Sequence, residues 1–319
     1  MANCFLQVNE DIGSFLENTE PMAALAWYRE NLKSMQLEFY STCPTSPRTV
    51  VKPLPAKTKS QQQAAPLIKY LPGLTLDAAK APCMAQVNTR SLISALARIR
   101  SDQRSFFIVS TNYAHHFSWA LSRIAFNRFG RVGHPKVVIN IDKHTDFGGV
   151  RATYKQDRIA CGNWGQHHLR YPWYGKSSTS PMSAFYIALG CTGDPSAIQY
   201  VEDVNQKPLP EVKGCKGKDS EVLKRMDAEQ ALWNDPDLYL TVDRDVYTNG
   251  ATHYRPGDRT PGSVDELWDS VMMHIGRFNL VGFDITGLPK YSGMPSDGGT
   301  IAVRQILEWQ RYVTGYFLW

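Results

Sequence analysis

The chain has 319 residues, 43% of them hydrophobic and 20% charged, with 35 Lys and Arg against 30 Asp and Glu. That length suits one large α/β unit with a sizeable core, read here as a single domain over 1–319 in which residues 1–90 are divergent and partly loop-like. The net charge of +5 is spread rather than gathered into a basic stripe, and the 6 cysteines form no CxxC pair, which argues against a nucleic-acid binder or a disulfide scaffold. No window approaches the roughly 18–20 apolar residues of a membrane span. The opening MANCFLQVNEDIG lacks the basic stretch and long apolar run of a signal peptide. A reduced, cytoplasmic enzyme without nucleic-acid or membrane partners is therefore the expectation.

Taken in chain order, residues 44–66 mix Pro, Lys, Ser and Gln without periodicity and read as a surface loop. From about residue 90 helices and strands alternate. SLISALARI (91–99) has helical apolar spacing, FFIVS (106–110) is a short buried strand, and HFSWALSRIAFNRF is a helix that Gly130 is placed to stop. KVVINID (136–142) and YIALG (186–190) read as strands, and 205–220 as a second exposed loop. EVLKRMDAEQALW predicts a helix and DLYLTVD (237–243) a strand. SVDELWDSVMMHIGRF is a helix for which Ser263 is the expected N-cap, with Glu266 three residues on. NLVGFDI (279–285) is one more strand, Asp297-Gly298-Gly299 a turn, and IAVRQILEWQRYV the closing helix. This alternation predicts a three-layer αβα fold with a mainly parallel sheet, whose ligands bind beyond the carboxyl ends of the strands.

The chemistry-bearing residues fall at those ends. Asp142, His144 and Asp146 follow KVVINI directly, and an extended backbone would aim all three to one side. Two carboxylates and an imidazole suit a divalent cation such as Mn²⁺. Asp243 and Asp245 end a second apolar strand, with Arg244 between them as a candidate counter-charge. His115 and His116 lie between a third strand and its helix. Four carboxylates and a histidine gathered without a cation would be costly, because unpaired carboxylates lose their hydration.

These residues resemble the ureohydrolase (arginase/agmatinase) superfamily, which carries a Gly-Gly-Asp/Glu-His segment opening a helix, then Asp-x-His-x-Asp, then Asp-x-Asp. The matching segments here are NYAHHFSWALSR, Asp142-Lys143-His144-Thr145-Asp146 and Asp243-Arg244-Asp245, in order over about residues 90–310. The helix pattern Phe117, Trp119, Leu121, Arg123 places the family's first ligand on His115 rather than His116. The resemblance implies an arginase-like fold and a metal-dependent hydrolase of linear amidines using two Mn²⁺. His115, Asp142, Asp146 and Asp243 would hold one ion, and Asp142, His144, Asp243 and Asp245 the other. It also implies that Asp146 orients the attacking water, that His167 or His168 in CGNWGQHH supplies a catalytic imidazole, and that Asp194 in YIALGCTGDP lies at the substrate, with Asn163 as a pocket residue. Trp164 reads as core or pocket wall.

The departures narrow the substrate. Asn112, Tyr113 and Ala114 stand where the family has Gly-Gly-Asp. Gly287 stands at the position of the guanidinium-binding Glu, in LVGFDITGLP, which leaves Asp194 or a carbonyl near Thr286 to do that work. Phe147-Gly148-Gly149 follows Asp146 where arginases place a polar residue for the free amino acid's carboxylate. The pattern resembles the peptide arginases, which convert arginine side chains of ribosomally made peptides to ornithine with release of urea (RiPP biosynthesis). The expected partner is thus a peptide or small guanidino substrate, the chain itself forming a homo-oligomer. The rival readings are a hydrolase of another guanidine, amidine or amide, and a non-catalytic peptide-binding relative.

Overall fold

The computed structural model describes residues 1–8, 28, 30–41, 69–71, 86–99, 103–110, 114–148, 155–171, 183–192, 195–202, 211–229, 235–247, 261–275, 278–288 and 297–317. The expected loop at 44–66 and the expected substrate residue Asp194 lie outside them.

The strands are β1 (Ala2–Gln7), β2 (Glu38–Ser41), β3 (Lys69–Tyr70), β4 (Val87–Asn88), β5 (Ser105–Val109), β6 (Lys136–Ile141), β7 (Arg158–Ile159), β8 (Ala184–Leu189), β9 (Ser196–Val201), β10 (Lys213–Gly217), β11 (Asp237–Asp243) and β12 (Asn279–Thr286). Ten of them form one sheet in the order β10-β9-β8-β6-β11-β12-β5-β1-β2-β3, and β4 pairs with β7. Every pairing from β8 through β6 to β3 is parallel; β8–β9 and β9–β10 are antiparallel. The central strands are buried along their whole length, as a sheet covered on both faces requires.

The helices are α1 (Thr89–Leu96), α2 (Phe117–Phe129), α3 (Trp164–Arg170), α4 (Asp219–Glu229), α5 (Pro261–Ile275) and α6 (Asp297–Phe317). Leu92, Phe117, Trp119 and Trp164 of α1, α2 and α3 pack with Val138, Tyr186 and Tyr239 in one core. Val222, Trp268, Ile306 and Trp309 of α4, α5 and α6 pack with Val137, Ile139, Ile187 and Leu240 in a second. Neighbouring residues of one strand thus enter different cores, the signature of a sheet sandwiched between two helical layers, and the αβα expectation holds. Among the described residues, no helix is long and apolar enough to cross a membrane.

Several local expectations need correction. Residues 213–217 are an antiparallel edge strand rather than loop, and α4 begins at Asp219. The Lys/Gly-rich composition of β10 hides its strand character because four of its five residues come from KGCKG's Lys and Gly, types that strands disfavour. The helix α5 starts at Pro261, two residues before Ser263, using proline where its missing N–H is harmless. Asp297, Gly298 and Gly299 form the first turn of α6 instead of a preceding turn. Gly130 does stop α2: its N–H caps the Phe126 carbonyl at 3.0 Å, and a Cβ there would meet the same oxygen at 2.4 Å.

Candidate metal centre

The strand order explains the site. β11 lies between β6 and β12, and β12 pairs with β5, so the carboxyl ends of four adjacent parallel strands open on one crevice. β6 delivers Asp142, His144 and Asp146, β11 delivers Asp243 and Asp245, and the segment after β5 delivers His115 at the entry to α2.

The convergence at β6 does not come from an extended backbone. The chain turns straight after Asp142: the His144 N–H donates to Asp142 Oδ1 at 2.8 Å, and Asp146 adopts a left-handed φ of 48°. Asp243 does the same in a 3-10 turn, accepting the Asp245 N–H on Oδ1 at 3.1 Å. Short Asp side chains cap their own turns well, so each strand end folds back and presents its remaining oxygens together.

His115 Nδ1 is the meeting point. It lies 2.8 Å from Asp146 Oδ2, 3.2 Å from Asp142 Oδ2 and 3.4 Å from Asp243 Oδ2, yet it forms no hydrogen bond of acceptable geometry. A second group surrounds His144 Nδ1, 3.2 Å from Asp245 Oδ2 and 3.7 Å from Asp142 Oδ1. The donor atoms of His115, Asp142 and Asp243 lie within 4.8 Å of one another, as do those of Asp142, His144 and Asp245, so Asp142 belongs to both groups. A buried imidazole lone pair facing three carboxylate oxygens is repulsive unless a proton or cation lies between them. Oxygen and imidazole donors in two adjacent sets fit two divalent ions such as Mn²⁺.

The titration directions point the same way. Burial, then the Asp245 and Asp142 charges, push Asp243 well above the carboxylate range. Burial and Asp142 push Asp146 up to about 7, and the same two causes push Asp245 up to about 6. Burial disfavours the charged His115, but the close Asp142 and Asp146 carboxylates and the Asp243 charge outweigh it and raise the imidazole. The protein alone can satisfy this cluster only by holding protons in it; a cation would do so while leaving the carboxylates ionised.

A supporting shell escaped the sequence reading. His115 Nε2 lies 3.1 Å from Thr241 Oγ1, whose hydroxyl donates to Asp284 Oδ1 at 2.7 Å; Ser118 and Tyr239 hydroxyls also donate to Asp284, at 2.8 and 2.7 Å. With the Thr241 proton spent on Asp284, Thr241 accepts from Nε2–H and leaves Nδ1 as a free ligand atom. Trp164 Nε1 donates to Asp146 Oδ2 at 2.7 Å, and Asn140 Nδ2 to Asp142 Oδ2 at 3.1 Å. Hydroxyls and an indole in otherwise apolar runs look like core residues; the one available signal was a charged Asp284 inside the apolar strand NLVGFDI.

The other expected residues fall as follows. His116 is buried with its ring edge-on to Phe117 at 5.0 Å. His167 and His168 are not brought to the centre. His168 Nε2 lies 3.2 Å from the carbonyl of Lys136, the first residue of β6, roughly 20 Å of strand from Asp142. His167 packs edge-on to Trp119 at 5.6 Å and feels Arg123 and Asp157 rather than the cluster. Burial pushes both imidazoles down to about 3, so near neutrality both are uncharged and poor proton acceptors. Asn163 is buried and its Oδ1 accepts the Ala160 N–H at 2.9 Å, closing a local turn. Arg244 is no surface counter-charge. It is fully buried, with Nη1 donating to the Gly287 carbonyl at 2.6 Å and Nε and Nη2 to Gln305 Oε1 at 3.0 and 2.9 Å. Thr286 ends β12 beside Asp243.

No family model matches the chain, and no curated protein matches it in sequence. Solved structures similar to it include arginase from Bacillus cereus (11% identity, TM-score 0.48, covering 95% of this chain and 96% of that one). A hypothetical agmatinase from Burkholderia thailandensis is similar at 13% identity and TM-score 0.46, covering 98% and 87%. So is arginase from Entamoeba histolytica in complex with L-ornithine, at 12% identity and TM-score 0.47, covering 96% and 95%.

Proposed function

We propose that this chain is a dinuclear Mn²⁺-dependent hydrolase of the ureohydrolase type, cleaving a guanidine C–N bond of an arginine side chain within a peptide to leave ornithine and urea. The observation that supports it most is His115 Nδ1 facing three carboxylate oxygens from two strand ends at 2.8–3.4 Å, beside a second donor set that shares Asp142.

The ions would rest on His115, Asp142, Asp146 and Asp243, and on Asp142, His144, Asp243 and Asp245; bound there, they would make water nucleophilic near neutral pH and draw electrons from the amidine carbon. The residues of the chain do the rest. Asp146 has one oxygen held by Trp164, which fixes its carboxylate plane so that it can orient the attacking water. The Thr241–Asp284 pair keeps the His115 Nδ1 lone pair aimed at the centre. Asp142 is anchored by Asn140, which also donates to the Tyr186 hydroxyl at 2.9 Å, so the group common to both sites cannot swing. With His167 and His168 buried elsewhere, Asp146, the carboxylate beside the attacking water, is the group in place to pass a proton to the leaving amine.

Phe147 and Gly148 after Asp146 offer no polar side chain to a free α-carboxylate, which favours arginine whose α-groups are amides. The test is metal analysis together with urea release from peptide arginine, free arginine and agmatine. The expected result is two bound Mn²⁺ and loss of one CN₂H₂ unit from a peptide, with free arginine and agmatine poor substrates. Efficient turnover of free arginine with every peptide unchanged would refute the peptide substrate.

A further inference from the structure

The end of β12 raises a question that the metal ligands do not answer. Thr286 is fully buried, and its Oγ1 has no hydrogen-bond partner. A buried hydroxyl left unpaired is costly, and valine would fill the same space without that cost. The group it lacks is therefore expected to come from outside the chain.

The strand register says where it points. Thr286 and Asp243 are direct partners in the parallel β11–β12 ladder, and partners in such a ladder present their side chains on the same face. The pair two residues earlier, Thr241 and Asp284, meets on that face through its 2.7 Å hydrogen bond, directly beneath His115. Thr286 thus stands beside Asp243 on the metal-ligand side of the sheet, their backbones one strand spacing (~4.8 Å) apart.

The competing groups at this strand end are already engaged. The Gly287 N–H donates to the Val109 carbonyl at 3.2 Å, and the Gly287 carbonyl accepts from Arg244 at 2.6 Å. Gly287 itself carries no side chain and sits at φ 88°. The backbone carbonyl that could have replaced an acidic side chain is turned toward Arg244 instead.

We infer that the Thr286 hydroxyl contacts the planar C–N group of the substrate beside Asp243, as the neutral acceptor at a strand end that offers no carboxylate. This rests on the proposed hydrolase reading and names a specificity residue within it. A hydroxyl accepts from an N–H and can also donate its own proton, so it can follow the group from guanidine to urea without adding a charge.

The experiment uses the full chain reconstituted with Mn²⁺, as wild type, Thr286→Val and Thr286→Ser, with Thr286→Ala as a second hydroxyl-free variant. Three quantities are measured: metal content, urea release from a peptide arginine, and calorimetric binding of Nα-acetyl-arginine-N-methylamide and its ornithine counterpart. The expected result is an affinity for the arginine probe about tenfold or more weaker in the valine and alanine variants, equivalent to about 1.4 kcal/mol. Affinity for the ornithine probe, which lacks the planar group, and metal content should be unchanged, and serine should restore the arginine probe. Hydroxyl-free variants that bind and turn over arginine like wild type would overturn the inference and leave the hydrolase reading standing. Loss of metal from those variants would overturn it too, by assigning the hydroxyl to the ions. A wild-type protein that neither binds the arginine probe nor releases urea defeats the hydrolase reading, and this inference with it.

Discussion

Trp164 Nε1 donates a 2.7 Å hydrogen bond to Asp146 Oδ2, the same oxygen that lies 2.8 Å from His115 Nδ1. One carboxylate oxygen thus joins α3, the turn after β6 and the entry to α2. Trp164→Phe keeps an aromatic ring in the core but removes the only donor that ring can offer. Hydrogen bonds to charged groups contribute roughly 1.5–3 kcal/mol, so Mn²⁺ should bind about tenfold or more weakly at the His115 set. A chelator competition titration measures this; an unchanged affinity would remove Trp164 from the supporting shell.

The two neighbouring histidines should separate cleanly. His115→Ala and Asp243→Ala should lower the Mn²⁺ content, because each removes a donor from the group that shares Asp142 with the second set. His116→Ala should leave metal content intact and lower the melting temperature, since that ring packs on Phe117. Metal loss from the His116 variant alone would shift the ligand assignment by one residue.

His167 and His168 make the fold sensitive to acid. Both are depressed to about 3 by burial, against an ordinary value of 6.5 in the unfolded chain. Between those values the unfolded state binds more protons, so their stabilisation is complete above pH 6.5 and is lost as pH falls toward 3. At about 1.4 kcal/mol per pH unit for each imidazole, the combined loss by pH 3 is on the order of 10 kcal/mol. His167→Phe with His168→Gln should flatten the dependence of urea-denaturation stability on pH between 6 and 4, measured on apo protein; an equally steep dependence would place the acid sensitivity elsewhere.

At the opposite end of the sheet, Asp237 is a staple. It is buried and accepts from Lys136 Nζ, from Arg131 Nε at 3.0 Å and from Asn279 Nδ2 at 2.8 Å, tying β6, β11 and β12 together. Asp237→Asn leaves the Lys136 ammonium without its counter-charge and should cost about 3–5 kcal/mol at neutral pH. Burial opposes the Asp237 charge, but Lys136, Asn279 and Arg131 lower its pKa below the usual 3.8. The gap between wild type and variant should therefore hold above pH 4 and close as pH falls through the lowered value. Equilibrium unfolding at several pH values checks both parts.

Much of this protein is legible in its sequence. The apolar runs KVVINI and DLYLTV and the helix after His115 declare their elements, because a strand buried on both faces must be apolar throughout and a helix must repeat its apolar side. The acidic residues just past those runs declare the candidate ligands, because carboxylates and imidazoles are tolerated at strand ends but rarely within strands. Residues 1–90 declared little: β1, β2 and β3 are parallel strands that acquire their meaning only by pairing outward from β5.

The tertiary structure decided what depends on contact between distant segments. It placed the His115 ring among the carboxylates, since both histidines precede the same helix and only the packing of α2 against β11 turns one ring that way. It set His167 and His168, to which the resemblance gave a catalytic role, in a helix that buries them against Trp119 and the start of β6. It turned Arg244 away from its two acidic neighbours and onto Gly287 and Gln305, because alternate residues at a strand end face opposite sides of the sheet. Residue chemistry and periodicity are local and survive in the sequence; which of two equivalent side chains meets a partner a hundred residues away is a property of the packed chain alone.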